Sequence, residues 1–479
     1  MKGIKHTILT GLLLGLLAQF ASAQNAATDG YTLAQCVEYA RANHPNVKIA
    51  RLNEKISLTQ TQQVIGRNLP QVSVSGSLID NYKIPVTLLP GSLASAGSGS
   101  TTSTTGTGGV GSTTAVGGTT SDGFIPVKFG TQYSATLTGR VDQKLYDPSL
   151  GLALKAAKLT TKLQEEATAQ AEQNQAYNVA QAYYQALVID LQRRLTIRDI
   201  TSSDTLLQQE RVRLQNGTTR EIDFGRIQLN RNNLQSQLEQ QTRRYELALN
   251  QLKFQMGMPQ NEPLSLQALE IENQLVVTDL SSPGNRFFEN RPDYKQLLIN
   301  TQLQDLNRLS NNRGYLPSLG LYGTYGTNAQ RQEFNFFRNG FPWFQSGAVG
   351  LTLNWTIFDG NQRHYRDREN RLNLETLRLQ QILARESAEL SLSNAQVSYQ
   401  NLVTDIQRER DNITLAQKIL TVTQLEYKEG IATSVTLIDS KDALTTAQNN
   451  LANKLINLYQ ARLDYENAQG TILQYVTQK

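Results

Sequence analysis

Few residues of this chain have the types and spacing that catalysis or metal binding would need. The 479 residues include three histidines and one cysteine. His6, His44 and His364 lie in different segments, and Cys36 lies inside a helical pattern, so they form no spaced set of metal ligands. No nucleophile elbow or phosphate-binding loop occurs either. The sequence therefore predicts a protein that is not an enzyme, with no catalytic residue, cofactor or bound metal.

The most informative residues are two glycines that interrupt long helical patterns. Apolar residues recur at helical spacing before and after Gly217 and Gly430. Glycine readily takes the left-handed backbone conformation that closes a helix. Beyond Gly430, either Thr433 or Ser434 can cap the next helix, because a hydroxyl accepts from its free N–H groups. Each glycine is therefore predicted to form the tip of a helical hairpin. The predicted tips span residues 215–220 and 428–433.

The two hairpins belong to a tandem duplication. The two glycines lie 213 residues apart. Asn-x-Pro triplets at 43–45 and 290–292 lie 247 residues apart, whereas similar triplets at 145–147 and 357–359 lie 212 apart. The difference predicts an insertion of 35 residues in the first repeat. The predicted boundaries are 1–23 for a signal peptide, 24–282 for the first repeat and 283–479 for the second.

The first residues have the pattern of a secretory signal. Lys2 and Lys5 precede an apolar segment at 8–20, and Ala21 and Ala23 form a small-residue cleavage site. No later stretch approaches 18 consecutive apolar residues, so no transmembrane helix is expected after it. The net charge is +5, and it falls to +3 when the signal and its two lysines are removed. This charge is too small to favour binding to nucleic acid.

Four segments alternate apolar residues with small or polar ones. Leu137 alternates with Thr136, and Leu351 alternates with Thr352. Alternation over about 10 residues, with aromatic residues near the ends, is typical of lipid-facing barrel strands. For any one strand, a half-buried strand of a soluble sandwich is the alternative. The four predicted strands span about 71–79, 132–145, 318–326 and 347–358.

Four strands cannot enclose a pore, because the smallest barrels have about eight. Two copies of the chain would supply 8 strands and three would supply 12, which leaves more room for a conduit. A closed homo-oligomer is therefore expected.

Two loops join the predicted strands within the repeats. Residues 91–120 contain 24 glycine, serine or threonine residues and no charge, so a flexible exposed loop is expected. Residues 332–345 are rich in aromatic side chains. This second loop could form an interfacial belt or fold over the pore, and the sequence leaves both alternatives open. Its aromatic residues are Phe334, Phe336, Phe337, Phe341, Trp343 and Phe344.

Two helical tracts are far longer than those of a globular protein. Residues 152–215 and 362–429 span roughly 95 and 100 Å at a rise of about 1.5 Å per residue. Both are rich in Gln, Asn, Ala and Ser with a thin apolar stripe, as suits a tube that is wetted on both sides. The return helices, at 221–258 and 434–469, are shorter. Each return helix needs a second helix end to end to match its long partner, and the predicted helices at 31–66 and 286–313 have the required length.

This order of elements, present twice, resembles the TolC-like outer-membrane efflux protein family. The resemblance rests on the Asn-x-Pro entries, the two glycine tips, and the strand segments LPSLGLYGTYG at 316–326 and LNWTIFDG at 353–360. It implies an α+β membrane protein, in which a homotrimer forms a 12-stranded outer-membrane β-barrel continued by a 12-helix periplasmic tunnel. The implied function is a passive exit channel of a tripartite efflux or type I secretion system. Its partners would be a periplasmic adaptor protein and an inner-membrane pump.

The resemblance also implies roles for residues at the tips. A periplasmic gate would use Asp223, Tyr427 and Asp439, with Tyr427 bonding to Asp223 on the neighbouring hairpin. Thr436 replaces a second acid of the family, and Ala432 replaces an arginine that ties the gate shut. Adaptor docking would use Asn216, Gly217, Thr218, Glu429, Gly430 and Ile431.

The sequence leaves three questions about these roles open. Arg220 and Arg226 are the alternative ties for the gate. Asp223 and Asp439 could instead be solvated charges that favour a helix start. The pump that selects the cargo is another chain, so drug, metal ion and secreted protein all remain open.

A periplasmic coiled-coil adaptor, or another structural protein of such a complex, is the competing function. Adaptors normally carry one helical hairpin beside a lipoyl-like β domain. The duplicated hairpin and the barrel-type alternation argue against that class.

Overall fold

The structure is a computed structural model that describes most of the chain. The described residues are 30–84, 86–90, 114–115, 124–128, 130–267, 280, 284 and 286–478. The predicted signal peptide lies outside the described residues, as does most of the predicted 91–120 loop.

Long helices dominate the fold, and their positions agree with the sequence analysis. The chain contains α1 (Leu33–Asn43), α2 (Pro45–Gly66), α3 (Leu150–Gln215), α4 (Glu221–Met256), a 3₁₀ turn (Phe287–Asn290), α5 (Pro292–Arg313), α6 (Gln362–Lys428), α7 (Ser434–Gln469) and α8 (Ile472–Thr477). Both predicted hairpins, α3–α4 and α6–α7, are confirmed. None of the helices in the described residues is at once long enough and apolar enough to cross a membrane.

The strands form two antiparallel sheets. They are β1 (Gln71–Asp80), β2 (Val86–Pro90), β3 (Thr114–Ala115), β4 (Phe124–Lys128), β5 (Tyr133–Tyr146), β6 (Ser318–Arg331) and β7 (Phe344–Asn354). The larger sheet has the order β1-β5-β6-β7, and the smaller has the order β2-β4-β3. The four predicted strands are thus the four strands of the larger sheet, which confirms the predicted fold class.

Two strand predictions need correction. β7 ends at Asn354, so Trp355 and Ile357 lie outside the strand that was predicted to reach residue 358. Beyond the ladder, Trp355 Nε1 donates to the Tyr315 carbonyl at 3.0 Å, and Asp359 accepts from the Arg363 backbone N–H at 3.3 Å at the start of α6. Within the predicted 91–120 loop, Thr114–Ala115 pair with β4. Backbone pairing does not require apolar side chains, so composition alone gave no sign of this strand.

The chain divides into two compact units, and each draws on both sequence repeats. The first unit lies within Met1–Leu58, Leu159–Gln304 and Leu372–Lys479. In its core, Val37 on α1, Leu252 on α4 and Leu455 on α7 are at most 1% exposed. The ring of Tyr184 on α3 stacks on Tyr459 of α7, with centroids 4.2 Å apart. Apolar contact between helices that are distant in the sequence therefore stabilises this unit.

The break between α1 and α2 has a local cause. Pro45 begins α2 and disfavours a helical conformation at His44, which is extended at φ −64° and ψ 131°. Gly257, at the end of α4, lies directly against this break. Its φ is +69°, and a Cβ at that position would lie 2.9 Å from the His44 Cα atom. A glycine is therefore required by both conformation and space.

The second unit lies within Thr59–Lys158 and Asp305–Arg371 and contains the larger sheet. Its register aligns Leu137 with Thr327 across β5 and β6, and Leu321 with Leu351 across β6 and β7. Partners directly opposite each other point to the same face. One face, here called the outward face, carries most of the large apolar side chains of the sheet. These are Val72, Val74, Leu78, Leu137, Val141, Leu319, Leu321, Tyr325, Val349, Leu351 and Leu353.

The opposite face of the sheet is mainly polar. Thr136 and Thr138 on β5 lie there, as does Thr352 on β7. Arg140 makes an ion pair with Asp142 on the same strand, at 2.7 Å. The alternation predicted from the sequence therefore extends across all four strands.

We expect Gly257→Ala to lower the free energy of unfolding by more than about 1–2 kcal/mol, the cost of a left-handed conformation for a residue with a Cβ. Contact with the His44 backbone adds to this cost. The matched control is Gly225→Ala within α4, where a Cβ meets open space. That change should stabilise the protein by about 1 kcal/mol. Thermal unfolding of the two purified variants measures their changes in stability. The same change in both variants would contradict the proposed role of Gly257.

Candidate functional site

The two hairpin tips have the same backbone geometry. Gly217 has φ +72° and donates to the Leu214 carbonyl at 3.0 Å, while the next N–H donates to Arg213 at 2.9 Å. Gly430 has φ +78° and donates to Tyr427 at 3.2 Å, while the next N–H donates to Glu426 at 2.8 Å. This pair of bonds is the Schellman motif, which satisfies the last carbonyls of a helix. The glycine caps predicted from the sequence are confirmed.

The helix that follows the second tip is capped by Thr433 and not by Ser434. The Thr433 hydroxyl accepts from the Thr436 N–H at 3.3 Å, and the two hydroxyls lie 3.0 Å apart. Thr436, which the resemblance aligns with an acid, is therefore part of this cap. Ala432, which the resemblance aligns with an arginine, donates its backbone N–H to the Glu426 carbonyl at 3.2 Å. Ala432 thus lies in the turn itself, and Thr436 lies in the first turn of α7.

The Ser434 hydroxyl joins the two tips. It donates to Asp223 Oδ1 at 2.7 Å, across 211 residues of sequence. Asp223 Oδ2 accepts from Arg220 Nε at 2.8 Å. Ser434 is 3% exposed and Asp223 is 8% exposed, so water competes little for this contact. The bonds from Ser434 and then Arg220 hold the pKa of the Asp223 carboxyl below its ordinary value.

Tyr427 contacts a different carboxylate. Its side chain is 8% exposed, and burial followed by the neighbouring Glu210 carboxylate raises its pKa. The guanidinium of Arg213 lies over the Tyr427 ring at 5.4 Å and within 3.3 Å of Glu210. Within one chain the Tyr427 side chain lies beside Glu210, while Ser434 and Arg220 donate to the Asp223 carboxylate. The bond from Tyr427 to Asp223 of the neighbouring hairpin stays a prediction.

Asp439 lies on the exposed surface of α7, beside a second acid. Asp442 is three residues further along the same helix, and its carboxylate accepts from Asn230 Nδ2 at 3.5 Å. Burial raises the pKa of Asp442, and the nearby Asp439 charge adds to this shift. Asp439 and Asp442 therefore form a pair of neighbouring acids on α7, of which the sequence analysis named only Asp439.

The six predicted docking residues form the outer surface of the tips. All are exposed, and Ile431 is 76% exposed. They are Asn216, Gly217, Thr218, Glu429, Gly430 and Ile431. Below them lie Glu210, 1% exposed, and Ser434, neither of which the sequence analysis assigned to the site. The sequence marks Ser434 only as a possible helix cap, and nothing in the sequence distinguishes Glu210 from the other polar residues of its helix. Among the described residues, no group of three or more His, Cys, Asp or Glu could hold a metal ion.

Several solved structures share this fold. The Campylobacter jejuni CmeC outer membrane channel is 14% identical, over 92% of this chain and 85% of that chain, with a TM-score of 0.66. The open state of the Neisseria gonorrhoeae MtrE outer membrane channel is 18% identical, over 94% and 92%, with a TM-score of 0.69. The outer membrane protein VceC from Vibrio cholerae is 14% identical, over 91% and 96%, with a TM-score of 0.65.

No family model and no curated protein matches the chain. The likeness to the solved structures covers nearly the whole chain, at identities that show the fold alone. The resemblance to TolC-like proteins is therefore confirmed at the level of the fold.

We expect Ser434→Ala to weaken the link between the tips by about 1.5–3 kcal/mol, the contribution of a hydrogen bond to a charged group. A double-mutant cycle with Asp223→Asn should recover this energy as coupling, measured from hydrogen exchange of the first-turn amides of α4 and α7. The control is Thr433→Ala, which should cost about 1 kcal/mol through the lost cap. If Thr433 proved to be coupled to Asp223 as strongly as Ser434 is, Ser434 would not be the residue that links the two tips.

The strength of the bond between Ser434 and Asp223 should depend on pH. Because the folded pKa of Asp223 lies below 3.8, its contribution is fully present above pH 3.8 and is lost as the pH falls through the lower, folded value. The opening free energy of the tips should therefore fall more between pH 5 and pH 2 in the unmodified protein than in Asp223→Asn. An equal fall in both would exclude Asp223 as the titrating group.

Proposed function

We propose that three copies of this chain form an outer-membrane exit channel of a tripartite efflux or type I secretion system. The channel conducts passively and extends into the periplasm. A periplasmic adaptor protein docks at the hairpin tips, and an inner-membrane pump supplies the cargo. The sheet of the second unit is the membrane-spanning part, and the tips in the first unit are the gate.

The exposed apolar face of the sheet is the observation that carries this proposal. Val349, Leu351 and Leu353 are 82%, 65% and 65% exposed. Such a face is costly in water and suits the hydrocarbon of a bilayer. The band from Leu319 to Ala329 covers about 34 Å along β6 at about 3.4 Å per residue. At a strand tilt of about 40° its height is about 26 Å, close to the apolar band of about 25 Å in outer-membrane barrels.

The two edges of the sheet support a closed ring of copies. Within the described residues, β1 pairs with β5 alone and β7 pairs with β6 alone. Each edge therefore presents unpaired backbone groups, which a bilayer does not tolerate. Pairing β1 of one copy with β7 of the next removes both edges, and three copies then give a 12-stranded barrel.

The long helices support the same assembly. Apolar side chains on α6 recur at spacings of seven and four and remain exposed. They are Leu372, Leu379, Leu383, Leu390 and Val397. A stripe with this spacing is typical of a coiled-coil seam. A helix of a neighbouring copy would bury it, and the resulting tube would be lined by the polar faces of the helices.

The residues at the tips support a gate. The buried bond between Ser434 and Asp223 holds the two tips of one chain together, whereas the Asp439 carboxylate remains exposed on α7. Three copies would bring three pairs of Asp439 and Asp442 close to the tunnel axis. A ring of carboxylates attracts cations. The MtrE and CmeC proteins, which share the fold, are outer membrane channels.

The test of this function compares two neighbouring positions on β7. Leu351→Arg should cost about 2–4 kcal/mol near the bilayer midplane, whereas Thr352→Arg on the polar face should be tolerated. Outer-membrane fractions run unboiled on a gel should show a heat-resistant trimer for Thr352→Arg and little for Leu351→Arg. Equal amounts of trimer from both variants would show that the apolar face does not meet lipid.

We further expect Asp439→Ala to weaken cation selectivity, because it removes three carboxylates from the narrow part of the tunnel. Reversal potentials in planar bilayers under a salt gradient measure the selectivity. Glu426→Ala, on the last turn of α6 before the tip, is the matched control and should have a smaller effect. Unchanged cation selectivity in Asp439→Ala would indicate that Asp439 is only a solvated charge near a helix start.

A further inference from the structure

The loop between β6 and β7 carries five aromatic residues, and the structure gives its position on the sheet. This segment, residues 332–343, is called the aromatic loop below. Phe336 is 6% exposed and packs on Ala135 and Ala329, which are directly opposite each other on β5 and β6. Ala329 is 0% exposed as a result. Both alanines point to the outward face, because they lie in register with Leu137 and Thr327. The loop therefore folds onto the apolar side of the sheet.

An arginine fixes the loop in this position. Arg331, the last residue of β6, is 7% exposed and also lies on the outward face, opposite Tyr133. Its guanidinium lies over the rings of Phe336 and Phe341 at 6.0 and 5.3 Å. Its Nη2 atom donates to the Pro342 carbonyl at 2.7 Å. The loop thus has a defined fold of its own, held by cation–π contacts and a hydrogen bond.

The other four aromatic side chains of the loop remain partly or almost fully exposed. Phe337 is 91% exposed, Phe334 55%, Phe341 43% and Trp343 41%. They continue the apolar outward face of the sheet beyond Ala329, at the end where β6 and β7 are joined. Aromatic rings gather at the boundary between the hydrocarbon and the headgroups of a bilayer. An outward arginine is costly at the midplane of a bilayer and is tolerated near that boundary.

We propose that the aromatic loop is a lipid anchor, which inserts its exposed rings into the headgroup–acyl boundary of the outer leaflet. The occupant of this surface is the lipid of the bilayer. This inference rests on the proposed membrane function and adds a role for one loop. It excludes the other position open to the loop, a fold over the pore, because the pore lies on the polar side of the sheet.

The two tryptophans of the chain allow a direct test. Trp355→Phe leaves Trp343 in the loop as the sole reporter, and Trp343→Phe leaves Trp355, just beyond the other end of β7, as the control. Each full-length variant is reconstituted into vesicles that contain phospholipids brominated near the headgroup. We expect lipid quenching and blue-shifted emission from Trp343, with little quenching by aqueous iodide. Conductance in planar bilayers shows independently that each variant forms a channel.

The possible results distinguish a failure of the anchor proposal from a failure of the channel proposal. Quenching of Trp355 by lipid in a conducting channel, with Trp343 quenched by iodide alone, would overturn the anchor and leave the function intact. Absence of lipid quenching at both positions, together with absence of conductance, would overturn both proposals.

A second variant tests the excluded position of the loop. Phe337→Ser removes a ring that the proposal places in the lipid and leaves the pore lining unchanged, so the single-channel conductance of inserted channels should stay the same. A rise in conductance would place the loop over the pore and overturn the anchor.

Discussion

The register of the four-stranded sheet is the constraint on which the second unit of this structure depends. Successive side chains of a strand point to opposite faces, so a slip of one residue would exchange the faces of that strand. The pairing of Leu321 with Leu351 and of Gln143 with Leu321 keeps β5, β6 and β7 in phase. Because the strands keep this phase up to an irregularity between Lys144 and Tyr146, the sheet has one apolar and one polar face. The position of the aromatic loop follows from the same register.

The hairpin tips combine a shared backbone turn with different side-chain contacts. Both glycines make the same pair of backbone bonds, which suits a duplicated unit. Asp223 then serves the contact between hairpins, whereas Tyr427 turns towards Glu210 within reach of Arg213. Duplication therefore preserves the fold of the tips, and individual substitutions give the two tips different roles.

Apolar surface that the chain does not bury recurs in both units. In the first unit it lies along α6, and in the second it covers the outward face of the sheet and the aromatic loop. A monomer in water would be penalised for this exposure, since soluble monomers rarely expose large contiguous apolar patches. Neighbouring copies and lipid together would cover it. The same physical cost thus favours both oligomer formation and insertion into a membrane.

The sequence by itself determined the long helices and the strands of the larger sheet. Alternation with period two, long tracts free of glycine and proline, and glycines at the tips are local signals, so they identified the four strands of the larger sheet and both hairpins. The tertiary structure decided which residues meet. Ser434 and Asp223 are 211 residues apart, and no local pattern relates them. The choice between the two positions of the aromatic loop likewise required the packing of Phe336 on Ala135 and Ala329. Such contacts depend on how distant segments fold together, which spacing along one chain does not encode.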